Sequence, residues 1–127
     1  GGYDELVVLK DIPVISFCEH HMLPVVGKAH VGYLPTNRVV GISKLARVVE
    51  IFARRLQNQE TLTNDIIEAI ESHLQPRGVA VLVDAAHQCM TTRGVHHRHV
   101  TTITTRFTGA FKDDPALPDR FLKLARG

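Results

Sequence analysis

Apolar and β-branched residues are concentrated in two stretches near the start of the chain. The first runs from Leu6 to Phe17, and the second runs from Gly27 to Leu34 and is closed by Pro35. Apolar runs of this kind, bounded by turn residues, are typical of β-strands. We therefore predict two strands that pair with each other.

The spacing of the apolar positions then changes from that of a strand to that of a helix. Ser43 stands at the expected N-cap of a first helix. The apolar face of this helix consists of Leu45, Val48, Val49, Phe52, Ala53 and Leu56. A second helix is expected to stop at Pro76 and Gly78. Its apolar positions are Leu62, Ile66, Ala69, Ile70 and Leu74.

Alternation between two faces returns from Val79 to Met90, which predicts a third strand. Alternate residues of a strand project to the same face. His87 and Cys89 should therefore point the same way.

The end of the chain is predicted to form a fourth strand and a short helix. The threonine-rich stretch from Val100 to Phe111 is assigned to the strand. Asp114 is expected to cap the helix, which runs towards Leu124 and is interrupted in its first turns by Pro118.

The predicted order is β-β-α-α-β-β with a helical tail, which belongs to the α+β class. We expect a four-stranded antiparallel sheet with two helices on one face. The other face is then left to solvent or to a partner.

Composition narrows the class of protein. With 127 residues and 44% hydrophobic content, the chain is expected to form a single domain over residues 1–127. The net charge is only +2 and the basic residues are scattered, which gives little support to nucleic-acid binding. No apolar run approaches the roughly 20 residues needed to cross a bilayer. We expect a soluble, cytoplasmic protein with no nucleic-acid or membrane partner.

Both cysteines of the chain lie close to histidines. Cys18 is followed by His20 and His21, and Cys89 is preceded by His87. Thiolate and imidazole are ligands that zinc prefers, and a catalytic zinc keeps three protein ligands and one open position. Two thiolates and one imidazole would form such a site and leave two histidines for proton transfer.

Three other interpretations of the cysteines are open. They could form a disulfide, although no secretory signal pattern supports an oxidising compartment. Each could be a small buried apolar residue, but that role does not require a nearby histidine. A nucleic-acid-binding zinc finger is disfavoured because the Cys and His groups are not spaced as in a compact finger.

Several motifs along the chain resemble those of GTP cyclohydrolase I. They are SFCEHH at 16–21, GKAHVGYLP at 27–35, GISKLAR at 41–47, RRLQNQETLT at 54–63, HQCM at 87–90 and RGV at 93–95. The resemblance covers nearly the whole chain.

The resemblance implies a zinc hydrolase of the tunnelling fold, whose subunits join their sheets into barrels in a homodecamer. It implies that Cys18, His21 and Cys89 bind zinc and that His20 and His87 are catalytic. The implied reaction opens the imidazole ring of GTP, releases formate and forms 7,8-dihydroneopterin triphosphate, the first step of tetrahydrofolate and pterin biosynthesis.

The resemblance also implies the substrate contacts. A carboxylate can accept hydrogen bonds from both the ring N–H and the exocyclic amine of guanine, and this role falls to Glu60, with Gln59 beside it. The triphosphate is expected to contact a helix N-terminus and its cations, because amide donors and the helix dipole favour anions there. The implied triphosphate contacts are Ser43, Lys44, Arg47 and Arg93. Because the family builds its pockets at subunit boundaries, a neighbouring copy is expected to complete the site.

Two histidine-containing features are left out of the predicted site. The histidines at 96, 97 and 99 fit a polar loop, and this loop differs from the usual family sequence. His30 resembles a packed position of the second strand.

The chain opens at Gly1 without the helical segment that precedes the first strand in the family. It is therefore either a fragment or a shortened form. An alternative to the enzyme is a zinc-stabilised oligomeric or pterin-binding module that is inactive because this segment is missing.

Overall fold

The computed structural model describes residues 5–17, 24–36, 42–53, 59–87 and 101–127. The strands in these ranges are β1 (Val7–Phe17), β2 (Pro24–Leu34), β3 (Gly78–His87) and β4 (Thr102–Phe107). The helices are α1 (Ile42–Ala53), α2 (Gln59–Leu74), α3 (Ala110–Asp113) and α4 (Ala116–Arg126). In this part of the chain no helix is long and apolar enough to cross a membrane.

The four strands form one antiparallel sheet in the order β1-β2-β3-β4. Between β2 and β3 the pairing is continuous, from Val25 opposite His87 to Leu34 opposite Gly78. Each strand is therefore bonded to its neighbour in sequence order, and the two long helices connect β2 to β3. This arrangement confirms the predicted α+β class and the β-β-α-α-β-β order.

The helices α1 and α2 pack on one face of the sheet and form the larger hydrophobic core. The predicted apolar face of α2 is buried in full, and α1 contributes Leu45 and Val49. The sheet residues of this core that come from β3 are Val79, Val81, Val83 and Ala85. The alternation predicted for β3 is confirmed, because these four residues are buried on the face that carries the helices.

The opposite face of the sheet is partly covered by α3 and by α4, the predicted helical tail. The sequence analysis predicted neither α3 nor the packing of the tail on this face. Phe107, Phe111 and Phe121 have ring centroids 6.1 to 6.4 Å apart, and two of the three pairs are edge-to-face. Gly32 lets α4 approach the sheet, since a Cβ there would lie 2.6 Å from a ring carbon of Phe121. The rest of this second core consists of Leu34, Ala80, Leu82, Ala110, Leu117 and Ala125.

The remainder of this face lies beyond the C-terminal helices and exposes large apolar side chains. Ile15 is 58% exposed, Val26 is 44% exposed and Ile103 is 45% exposed. Ile15 and Val26 are directly opposite each other in the pairing of β1 with β2. The expectation of an uncovered face is therefore correct for this part only.

The predicted end of β4 at Phe111 is wrong, because the strand ends at Phe107 and Phe111 belongs to α3. The chain turns at Gly109, whose φ of 57° lies in the left-handed region that glycine adopts without steric cost. A Cβ at this position would also overlap the backbone oxygen of Arg77.

Two helix boundaries also differ from the prediction. α1 begins at Ile42, so Ser43 lies in its first turn rather than at its N-cap. In α4, Pro118 is accommodated within the first turn, where a missing N–H removes no helical hydrogen bond. The N-cap of α4 is Pro115 rather than the predicted Asp114. The carboxylate of Asp114, one residue earlier, accepts a hydrogen bond from the N–H of Ala116 at 3.0 Å.

His30 is buried in β2 and is hydrogen-bonded to an irregular part of β1. Its Nδ1 accepts a hydrogen bond from the N–H of Asp11 at 2.9 Å, so the ring proton lies on Nε2. Asp11 has a φ of 61° and lies where the pairing of β1 with β2 shifts register. Burial lowers the pKa of His30 below its ordinary value of 6.5. His30 is therefore packed in the neutral form, as the sequence analysis expected of a packed position.

The stability of the protein should fall as the pH drops below neutral. Because the folded-state pKa of His30 is lowered, the unfolded chain takes up the proton first. The contribution of neutral His30 to the free energy of unfolding is then fully present above pH 6.5. It declines as the pH falls through that value and levels off below the folded-state pKa. Urea unfolding of His30→Gln between pH 5 and 8 should show a smaller decline, whereas Ser72→Ala, an exposed change on α2, should keep the full decline. An unchanged pH dependence in His30→Gln would contradict the assignment.

Candidate active site

The strand pairing brings the two cysteine-containing stretches to one end of the sheet. β1 ends at Phe17, directly before the first cysteine, and Phe17 is paired with Pro24. β3 ends at His87, shortly before the second cysteine, and His87 is paired with Val25. Because β1 and β3 both flank β2, these ends lie about 10 Å apart, the width of two strand spacings. The two stretches therefore leave the sheet at neighbouring points.

All three predicted zinc ligands, Cys18, His21 and Cys89, lie outside the described residues. The predicted catalytic residue His20 and the predicted phosphate-binding residue Arg93 also lie outside them. For His87 the backbone alone is described. Among the described side chains, no three His, Cys, Asp or Glu form a group that could hold a metal ion. The zinc site therefore stays a prediction, based on the chemistry of the donor set and on the positions of the strand ends.

The first turn of α2 is tied to β3 and β4 near the same end of the sheet. Its first residue, Gln59, is 6% exposed. The side-chain Nε2 of Gln59 donates hydrogen bonds to the backbone oxygens of Val83 at 3.1 Å and Thr102 at 2.9 Å. It also lies 3.2 Å from Oγ1 of Thr104. One buried amide therefore connects a helix to two strands.

Two threonines complete this connection. Oγ1 of Thr63 donates a hydrogen bond to the backbone oxygen of Gln59 at 2.9 Å. Oγ1 of Thr63 is also 2.9 Å from Oγ1 of Thr104. We call Gln59, Thr63 and Thr104 together the α2 clamp. It forms a closed set of hydrogen bonds between the helix and the edge strand β4.

Glu60 is exposed beside the α2 clamp and lines a cavity of about 220 Å³. The cavity lies between the start of α2 and the strand β4. Two of its lining residues are hydrogen-bonded to each other, since Nη1 of Arg106 donates to Oδ1 of Asn64 at 2.7 Å. The other lining residues are Thr63, Thr104 and Thr105. A carboxylate at this position is accessible to a ligand that presents adjacent N–H donors.

The predicted phosphate-binding residues of α1 do not line the cavity beside Glu60. Ser43, Lys44 and Arg47 are all exposed in the first half of α1. Lys44 lines a separate cavity of about 100 Å³ together with His73, in the last turn of α2. At about 1.5 Å per residue, His73 is roughly 20 Å from Glu60 along the helix. Among the described residues, the base-binding candidate Glu60 and the phosphate-binding candidate Lys44 therefore line different cavities of one chain.

Sequence reasoning missed five residues of this region. Five residues line the cavity beside Glu60 but were not assigned to the site: Thr63, Asn64, Thr104, Thr105 and Arg106. A signal was available in the threonine-rich fourth strand, where alternate positions from Thr102 share a face. Nothing in the sequence, however, indicated that this face meets α2.

Comparison with solved structures identifies the class of fold. The chain is similar to an archaeosine synthase QueF-Like in the apo form, with a TM-score of 0.67 and 21% identity over 82% of this chain and 93% of that one. It is also similar to the E. coli dihydroneopterin aldolase in complex with neopterin, with a TM-score of 0.61 and 12% identity over 83% of this chain and 99% of that one. The protein therefore has the tunnelling fold that the family resemblance implies.

Sequence comparison identifies the family. The family model of GTP cyclohydrolase I matches residues 1–126. The chain is 63% identical over 123 residues to GTP cyclohydrolase 1 of Maricaulis maris (strain MCS10), covering 97% of this chain and 60% of the relative. It is 58% identical over 127 residues to GTP cyclohydrolase 1 of Sinorhizobium fredii, covering 100% of this chain and 62% of that relative. The chain belongs to the GTP cyclohydrolase I family and spans about 60% of the length of these relatives.

Replacing Gln59 by leucine should destabilise the protein by about 1–3 kcal/mol, because buried acceptors on β3 and β4 would lose their donor. Glu60→Gln, an exposed change at the next position, should alter the free energy of unfolding by less than about 0.5 kcal/mol. Urea unfolding of both variants measures the difference. Equal stability of Gln59→Leu and the unmodified protein would show that the amide does not support the fold.

Proposed function

We propose that the protein hydrolyses GTP to 7,8-dihydroneopterin triphosphate and formate in a zinc-dependent reaction, within one catalytic domain over residues 1–127. The observation that carries this proposal is the match to the GTP cyclohydrolase I family over residues 1–126, with relatives up to 63% identical. The reaction would be the first step of tetrahydrofolate and pterin biosynthesis.

Cys18, His21 and Cys89 would hold the zinc. Two thiolates and one imidazole suit a tetrahedral zinc with one open position. The neighbouring ends of β1 and β3 support this assignment, because the chain enters both ligand stretches from there. When bound, zinc supplies a Lewis acid that makes water nucleophilic near neutral pH.

Two histidines would transfer protons while the imidazole ring of the base opens at C8. His20 and His87 suit this role because imidazole titrates close to the operating pH. His87 is the last residue of β3. The strand β3 is paired with β2 on one side and with β4 on the other for most of its length. The backbone from which this proton carrier extends is therefore supported by the sheet.

Glu60 would bind the guanine base through its ring N–H and exocyclic amine. Its exposure beside a cavity of about 220 Å³ supports this role, because the carboxylate is accessible to a ligand. Ser43, Lys44, Arg47 and Arg93 would bind the triphosphate, with the first turn of α1 contributing amide donors.

The active site would be completed by a second copy of the chain in a homo-oligomer, a decamer whose sheets join into a barrel. Glu60 lies in the first turn of α2, whereas Lys44 of α1 lines a separate cavity beside the last turn of α2, which supports a site shared between copies. The exposed Ile15, Val26 and Ile103 support association, since exposed apolar side chains on one sheet face favour contact with another protein surface. β1 and β4 are the edge strands of this sheet and have backbone groups available for pairing.

Zinc-supplied protein should release formate from GTP, and Cys89→Ala should lose both bound zinc and formate release. The loss of a thiolate ligand should lower turnover by more than roughly 100-fold, since outer-shell changes alone cost 10–100-fold. Glu68→Ala, an exposed change on α2, serves as the control and should retain both properties. Zinc content and formate are measured on the same samples.

Formate release that persists in Cys89→Ala would contradict the proposed zinc site. Stoichiometric zinc in a defined oligomer without any formate would instead favour the inactive zinc-stabilised or pterin-binding module.

A shared site predicts that two inactive variants restore activity when they are mixed. Glu60→Ala and Lys44→Ala should each be impaired. If one copy supplies Glu60 and its neighbour supplies Lys44, then co-assembly of equal amounts should restore roughly a quarter of the sites, because random mixing leaves that fraction with both residues intact. Formate release from co-expressed variants, compared with the separately assembled variants, measures the recovery. A site contained within one chain would show no recovery.

A further inference from the structure

The hydrogen bonds of the α2 clamp have only one possible direction. The backbone oxygen of Gln59 can only accept, so Thr63 must donate its single hydroxyl hydrogen to it. Thr104 must then donate to Thr63 across their 2.9 Å contact. The oxygen of Thr104 is left to accept from Nε2 of Gln59. Both hydroxyl groups are therefore held in a single orientation.

The amide of Gln59 is oriented by the same set of contacts. Three acceptors surround Nε2: the oxygens of Val83 and Thr102 and the hydroxyl of Thr104. An amide nitrogen carries two hydrogens, so these acceptors saturate it. The Nε2 of Gln59 is thus engaged inside the protein and has no hydrogen left to donate to a ligand.

The α2 clamp acts on the part of the helix that most needs support. The first turn of a helix has N–H groups without intrahelical partners and frays easily. Here that turn is attached to β4 by Thr63 and Thr104 and, one residue further along, by the bond from Arg106 to Asn64. Glu60 lies between Gln59 and these attached residues. Its backbone position relative to the end of the sheet is therefore set by the clamp.

Recognition of two adjacent donors by one carboxylate depends on position. A hydrogen bond weakens steeply when its angle or length departs from the optimum, so a displaced carboxylate would keep its charge but lose the second bond. The loss should appear as reduced discrimination between bases rather than as general loss of binding.

We propose that Gln59, Thr63 and Thr104 are positioning residues that hold Glu60 for recognition of the base, and that Gln59 does not itself contact the substrate through its amide nitrogen. The proposal rests on the proposed function, because it takes Glu60 as the residue that binds guanine. It assigns Gln59 a different role from the substrate contact that the family resemblance implies.

The test compares equilibrium binding of GTP and ITP by isothermal titration calorimetry on metal-free protein, in which turnover is absent. ITP lacks the exocyclic amine, so the unmodified protein should prefer GTP by about tenfold or more, as expected for one hydrogen bond to a charged group. Thr104→Val replaces the hydroxyl by a methyl group of similar size and should reduce the preference to within about threefold. Thr63→Val should have the same effect and decides the matter if Thr104→Val does not fold.

Two controls separate positioning from general destabilisation. Thr104→Ser retains the hydroxyl and should retain the preference for GTP. Thr101→Val makes the same chemical change at an exposed residue just before β4 and should also retain it.

The outcomes distinguish this proposal from the proposed function. Reduced preference in the two valine variants, with both controls unchanged, supports the α2 clamp as a positioning device. Full preference in Thr104→Val and Thr63→Val overturns it, provided that Glu60→Gln loses the preference. If Glu60→Gln keeps the preference, then Glu60 does not recognise the amine. In that case the base-binding role of Glu60 and the positioning role of the α2 clamp both fail.

Discussion

The continuous pairing of β2 with β3 is the constraint on which the rest of the structure depends. It sets which face of β3 meets the helices, and a slip by one residue would move Val81 and Val83 out of the main core. Together with the pairing of β1 with β2, it also sets the end of β3 near the end of β1. Core packing and the arrangement of the candidate metal site therefore both depend on the register of β2 with β3.

The buried amide of Gln59 extends this register to the helical layer. A helix packed by apolar contacts alone can shift along a sheet, because such contacts have little directionality. Hydrogen bonds from Gln59 to Val83 and Thr102 remove that freedom at the first turn of α2. The exposed Glu60 is consequently attached to a rigid part of the fold, although it lies on the surface.

The two faces of the sheet have different roles. One face carries α1 and α2 and is closed within a single chain. The other is covered at one end by Phe111 and Phe121 of α3 and α4, and it exposes Ile15, Val26 and Ile103 at the other end. Partial cover of this kind leaves an apolar surface beside two edge strands. An exposed apolar surface beside unpaired strand edges favours contact with another protein surface, and the proposed homo-oligomer would use it.

The sequence predicted the elements well because hydrophobic spacing depends on local geometry. Alternation in Val79 to Ala85 and the helical spacing of Leu62 to Leu74 both matched the buried faces. The C-terminal region was harder to predict, because its turn depends on Gly109 and its burial depends on the long-range contact between Gly32 and Phe121. Neither effect has a periodic signal in the sequence.

The sequence by itself determined the element order, the main core and the donor chemistry of the candidate site, because these depend on residue type and spacing. Only the tertiary structure decided that Gln59 is a buried link between α2, β3 and β4, and that Glu60 and Lys44 belong to separate cavities. The physical reason is that hydrogen bonds between distant residues depend on strand register and helix placement. Those quantities are set by packing of the whole chain rather than by any local pattern.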